Sequence, residues 1–247
     1  MQTQPTNCFA PLSSVLVTGA SGGVAQALLA RLGAAGVATL GASRQAGPGL
    51  IAADTTTPEG AKAAVAACVA QFGGLGGVAH CVGSTLIAPL IRTSMAQYRE
   101  VMRINLDSAF YVLSAAVEAA KAQGQPCSIV LVSSVVAGIG VANHEAIAAA
   151  KGGLEALTRS AAATYAATGI RVNCVAPGMT DTPMTAGILK SEAMRAGAER
   201  QYPLGGVNSA DDVASAIAWL LSADAARVTG QIIHVDGGFT HIRPLVK

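Results

Sequence analysis

The feature that most constrains this chain is its alternation. Short apolar runs rich in Val, Ile and Leu are followed, from residue 14 to residue 235, by longer alanine-rich stretches with a helical pattern. The strand-like runs are Ser14–Thr18, Val37–Ala42, Leu50–Ala53, Gly77–Val82, Cys127–Ser133, Ile170–Val175 and Gln231–Val235. The helical stretches are Val24–Ala35, Pro58–Phe72, one or two helices within Thr93–Lys121, Glu145–Ala167 and Asp211–Leu221. Strands joined by helical crossovers of this length run parallel, and the crossovers are right-handed. The expected architecture is therefore α/β: a doubly wound parallel sheet of about seven strands with helices on both faces, a Rossmann arrangement. Between strands two and three only Ser43–Gly49 intervenes, too little for a helix. The least regular stretch, Met184–Gly206, is expected to form a mobile lid over a site.

Composition narrows the classes of function. The 247 residues are 51% hydrophobic and carry a net charge of +2, with no basic cluster to meet nucleic acid. No apolar run reaches bilayer-spanning length, and the start, MQTQPTNCFAPLS, lacks the charged and apolar regions of a secretion signal. Residues 1–13 are read as a flexible lead-in, residues 14–247 as one domain, and the cytoplasm as the location. The cysteines form no CxxC pair and the histidines have no metal-ligand spacing, so no metal site is expected.

The first strand ends in Thr18-Gly19-Ala20-Ser21-Gly22-Gly23-Val24-Ala25. A glycine-rich turn between a strand and a helix lets backbone N–H groups approach a pyrophosphate at the positive end of the helix dipole. Gly19, Ser21, Gly23 and Val24 are the expected contacts. After strand two the chain reads Ala42-Ser43-Arg44, with no acidic residue to bind the ribose hydroxyls of NAD(H). Ser43 and Arg44 suit a 2′-phosphate, which favours NADP(H) over NAD(H).

These segments together resemble the short-chain dehydrogenase/reductase family, near its β-ketoacyl reductase-like members, over about residues 14–240. TGASGGVA resembles the family's TGxxxGxG turn, with Ala25 in place of the last glycine. The resemblance makes Asp54 the adenine-contacting aspartate, with Thr55 beside it. His80-Cys81-Val82-Gly83 stands where the family has NNAG, and only Gly83 is kept. Asn105 corresponds to the helix-bending asparagine, and Ser134 to the substrate-contacting serine. Pro177, Gly178, Thr180 and Thr182 correspond to the segment that holds the nicotinamide amide. The resemblance also implies a small-molecule substrate and a homotetramer or dimer.

One departure bears directly on the chemistry. The register of the family's YxxxK motif falls on Ile147-Ala148-Ala149-Ala150-Lys151. Lys151 is retained, but isoleucine cannot give or take a proton. The longer spacing of enoyl reductases would need a tyrosine at position 144, which is His144. The catalytic set implied by the resemblance is thus Ser134, Lys151 and Asn105. Three readings remain open: an NADP(H)-dependent oxidoreductase of a carbonyl/alcohol pair whose proton comes from a water held by Ser134 and Lys151 or from His144; a cofactor-binding sensor or regulatory subunit with little turnover; and chemistry that needs no alkoxide proton, such as isomerisation or C=C reduction.

Overall fold

A computed structural model describes residues 14–244. The lead-in assigned to residues 1–13 lies outside the described residues. Seven strands, β1 (Val15–Thr18), β2 (Thr39–Ser43), β3 (Leu50–Ala52), β4 (Gly77–His80), β5 (Cys127–Val132), β6 (Ile170–Pro177) and β7 (Ile232–Val235), form one sheet in the order β3-β2-β1-β4-β5-β6-β7. Every pairing is parallel. The chain winds outward from β1 to β3, then crosses back so that β4 lies on the other side of β1. The reversal opens a crevice at the carboxyl ends of β1 and β4, where open α/β sheets bind ligands.

Strand residues alternate between two buried faces. Leu16, Val78, Ile129, Leu131 and Val172 meet helices α2 (Pro58–Phe72), α4 (Ser108–Gln123) and α5 (Glu145–Tyr165). Val15, Val17, Ala79, Val130 and Val175 meet α1 (Gly23–Ala34) and α7 (Ala210–Leu221). Burial on both sides explains why the strands read as continuous apolar runs. Many helix residues at these contacts are alanines, which bring helix and sheet close together.

Helix ends follow local chemistry. Thr57 caps α2 through Gly60 N, and Pro58 sits in its first turn. α3 (Met95–Met102) and α7 begin with reciprocal capping boxes, Ser94 with Gln97 and Ser209 with Asp212. Gly73 and Gly124 end α2 and α4 in the left-handed conformation.

Some details differ from the sequence reading or add to it. β2 begins at Thr39, because Val37 still belongs to the turn closing α1, its N–H bonded to Leu32 O at 3.0 Å. The stretch read as one or two helices contains α3 and α4 joined by a π-helical turn, Arg103–Asp107. The stretch Met184–Gly206 contains a short helix, α6 (Glu192–Glu199), capped by Ser191. Between β2 and β3 no helix is present.

Candidate active site

Gly19 leaves β1 with φ +68°, and a Cβ there would stand 2.8 Å from the backbone of Cys81 and Val82. Only glycine fits this left-handed close approach. Gly23 faces Thr182 across the crevice: a Cβ on it would lie 3.1 Å from the Thr182 methyl. The residue capping the start of α1 is Gly22, which has no side chain to bond the first N–H groups, and the first turn of α1 has no acidic residue. α2, α3, α6 and α7 are each capped by a side chain of their own. The uncapped N–H groups beside Gly23 and Val24, with exposed Ser21 before them, fit an anionic ligand such as a pyrophosphate.

The neighbouring end is less uniform. Arg44 is exposed, and its charge reaches Asp54 and Glu100. Ser43 is buried, and its hydroxyl donates to Gln45 O, so it is already engaged within its own turn. The Asp54 carboxylate accepts from Thr56 N at 3.0 Å and Thr56 Oγ1 at 2.6 Å. These bonds, led by the side-chain one, hold its pKa below the ordinary carboxylate value. Thr55 is buried beside it. Arg103 pairs with Glu100 and donates to Thr56 Oγ1, which ties the π-helical turn to the Asp54 loop.

At the ends of β4 and β5 three expected residues converge. A Cβ on Gly83 would lie 3.3 Å from Asn105 Oδ1 and 3.5 Å from Lys151 Nζ. Asn105, in the π-helical turn, accepts from Ser84 N at 3.0 Å and donates to Ser84 Oγ and Val101 O, both at 2.9 Å. Its amide therefore holds the turn and the loop after Gly83 together. Lys151 is 5% exposed and donates to Val132 O at 2.8 Å. Burial lowers its pKa from 10.5 to about 8. Ser134 follows β5 in extended conformation, half-buried, its Oγ accepting weakly from Val136 N at 3.4 Å.

Ile147 lies one turn before Lys151 on α5 and is 3% exposed. It packs in an apolar cluster with Val101, Ala146, Ala150, Leu86 and Val136. His144, at the start of α5, turns its Nδ1 back onto Ala142 O at 2.7 Å. Asn143, before it, has φ +63°, and its carbonyl accepts from Ala88 N at 2.9 Å, joining the start of α5 to the loop after β4.

After β6, Pro177 and Gly178 lead into a loop fixed by its own side chains. Buried Thr180 donates to Gly178 O at 2.9 Å, and Thr182 N donates to Thr185 Oγ1 at 3.1 Å. The sequence reading missed Tyr202. Its ring lies against Gly178, its hydroxyl accepts from Met179 N at 2.6 Å, and it stacks on Phe239 with centroids 5.2 Å apart. It also missed Ser84, the partner of Asn105. Neither residue belongs to a motif; both are brought in by loops. Among the described residues no group of three or more His, Cys, Asp or Glu could hold a metal ion, and no helix is long and apolar enough to cross a membrane.

The sheet order and the arrangement at the ends of β1 and β4 are those of a doubly wound α/β protein of the dehydrogenase type. Residues 21–240 match a family described as Enoyl-(Acyl carrier protein) reductase. The chain is 39% identical over 242 residues to the cis-4-hydroxycyclohexanecarboxylate dehydrogenase of Sinomonas cyclohexanicum, covering 92% of this chain and 96% of that one. It is 36% identical over 238 residues to a 3-oxoacyl-(acyl-carrier-protein) reductase of Vibrio cholerae, covering 90% and 95%. Among solved structures, a short-chain type dehydrogenase/reductase from Mycobacterium ulcerans superposes with a TM-score of 0.88 at 29% identity, covering 94% of this chain and 90% of that one. The chain belongs to the short-chain dehydrogenase/reductase family.

Proposed function

We propose that the chain is an NADP(H)-dependent oxidoreductase acting on an alcohol/carbonyl pair, with a proton donor other than the side chain at position 147. The observation that carries this reading is the convergence of Lys151 Nζ and the Asn105 amide on Gly83, with Lys151 bonded to the Val132 carbonyl two residues before Ser134. The uncapped start of α1 and the exposed Arg44 supply the anion-binding end. The relatives support the substrate class, since the most similar ones include dehydrogenases of hydroxylated rings and a 3-oxoacyl reductase.

When bound, NADPH supplies the hydride. Ser134 Oγ donates to the carbonyl oxygen as negative charge develops there, a preorganised donor of the oxyanion-hole kind. Lys151 Nζ, with a pKa of about 8, is protonated at neutral pH yet close enough to release a proton. A water between Ser134 Oγ and Lys151 Nζ carries that proton to the alkoxide. Asn105 holds the Ser84 loop in place. Ile147 and its apolar neighbours keep bulk water from the reacting atoms. The active unit is a homotetramer or dimer, to be read by light scattering; Phe110, 55% exposed on α4, is an apolar side chain such an interface could cover.

A second reading has one observation in its favour. The face of α5 one turn before Lys151 is wholly apolar, as a cofactor-binding regulatory subunit with little turnover would tolerate. NADPH oxidation by wild type and Ile147→Tyr, over a panel of cyclic ketones, ketosteroids and 3-oxoacyl thioesters, separates the two. We expect wild type to turn over and the tyrosine variant to be no faster. A silent wild type with an active Ile147→Tyr establishes the second reading. Absence of NADPH binding to wild type overturns both.

A further inference from the structure

His80, the last residue of β4, is 1% exposed and carries an unusual pair of bonds. Its Nδ1 lies 2.8 Å from Thr18 Oγ1, and its Nε2 lies 2.9 Å from Ser108 Oγ. The bond directions follow from proton counting. The Ser108 hydroxyl donates to Ile104 O at 2.6 Å, so it accepts from His80 Nε2–H. A neutral imidazole has one N–H, so Nδ1 is the acceptor and Thr18 donates to it. The result is a single directed chain: Thr18 to His80 to Ser108 to Ile104 O. Burial, with the nearby Lys151 charge, drives the imidazole pKa down to about 3, so the ring stays neutral and carries no proton in turnover.

The ends of this chain matter more than its middle. Thr18 immediately precedes Gly19, which opens the nucleotide turn. Ile104 immediately precedes Asn105, in the π-helical turn whose amide faces Gly83 and Lys151. A π-helical turn has a wider hydrogen-bond spacing than the α-helices flanking it, and here the Ser108 hydroxyl, itself bonded to His80, closes onto its Ile104 carbonyl. Where the family resemblance leads to asparagine, this chain has a longer, rigid ring able to span two partners.

We propose that His80 is a positioning residue that fixes the nucleotide turn relative to the π-helical turn bearing Asn105, so that cofactor and Asn105–Lys151 are held in register. The inference rests on the proposed oxidoreductase reading for its meaning, but its test does not depend on turnover. Two near-isosteric variants each cut one end: Thr18→Val removes the donor to Nδ1, and Ser108→Ala removes the acceptor from Nε2. Hydrogen exchange is read in the free protein at the Ala20 amide, which bonds Ala42 O, and at the Asn105 side-chain amide.

A positioning link makes each cut felt at the far end. Thr18→Val speeds exchange at Asn105 at least five-fold, Ser108→Ala does the same at Ala20, and the core of β5 is unchanged. Ser108→Ala also raises the NADPH dissociation constant several-fold. If Thr18→Val does not fold, His80→Asn, too short to span both partners, replaces it with the same expectation at Asn105. Absence of either far-end effect, with only a lowered melting temperature, overturns the proposal. Failure of wild type to bind NADPH sinks the oxidoreductase reading instead, and the exchange arm still decides the role of His80.

Discussion

Replacing Lys151 by methionine should make the protein more stable and inactive. The amine is buried, and its pKa falls from 10.5 in the free side chain to about 8 in the fold. Because the folded value is the lower one, the unfolded chain binds more protons between the two values, and stability rises as pH climbs through that window. Below it the fold bears the full cost of a buried charge, about 3 kcal/mol at roughly 1.4 kcal/mol per unit. Methionine fills similar volume without the charge. The Val132 carbonyl loses its partner, a cost of about 1–2 kcal/mol. The net gain at neutral pH is about 1–2 kcal/mol, or roughly 2–8 °C in melting temperature for a chain of this size. Thermal melts of both proteins from neutral pH to above 10 test this. The advantage of Lys151→Met should shrink steadily as pH rises, because wild type sheds its proton. Cys81 and Cys174, which face the amine, stay protonated until about 12, and His80 is neutral throughout, so the difference reports Lys151. A variant less stable than wild type at neutral pH, or a difference independent of pH, refutes the reasoning.

Gly19→Ala should cost about 2–4 kcal/mol, from its φ of +68° and the 2.8 Å approach to the Cys81 backbone, and should abolish NADPH binding; melting curves and cofactor fluorescence check both. Arg44→Ala should raise KM for NADPH about ten-fold or more and leave KM for NADH nearly unchanged, because a charge-assisted bond to the 2′-phosphate is worth about 1.5–3 kcal/mol. In a Cys8→Ser background the native protein should react slowly with a thiol reagent at neutral pH. Burial raises the pKa of Cys68, Cys81, Cys127 and Cys174, and fast labelling would contradict that. Arg31→Ala, which removes an exposed ion pair with Asp211, should change stability by about 1 kcal/mol or less in denaturant melts.

The sheet was legible because burial on both faces writes each strand as an apolar run, and glycine marks the turns where the backbone must reverse. Gly19, Gly83, Asn105 and Lys151 were legible as motif positions, and the fold brings the last three together. The π-helical turn was not, because one widened turn barely disturbs a helical pattern that continues on both sides. Local side-chain-to-backbone bonds were not legible either: the Ser43 hydroxyl donates to Gln45 O within its own turn. The roles of His80 and Tyr202 depend on partners distant in sequence, which no local pattern announces.

The short link between β2 and β3 has its own consequence for the proposed nucleotide. No helix lies between β2 and β3 and Arg44 is exposed, so the proposed adenosine end would be open to solvent on one side and gripped by point charge more than by enclosure. A grip of that kind is screened by salt over about 8–10 Å at ordinary ionic strength. The dwell time of a nucleotide held in this way would then be a property of the surrounding solution as much as of the protein: as salt rises, loading would slow and release would quicken.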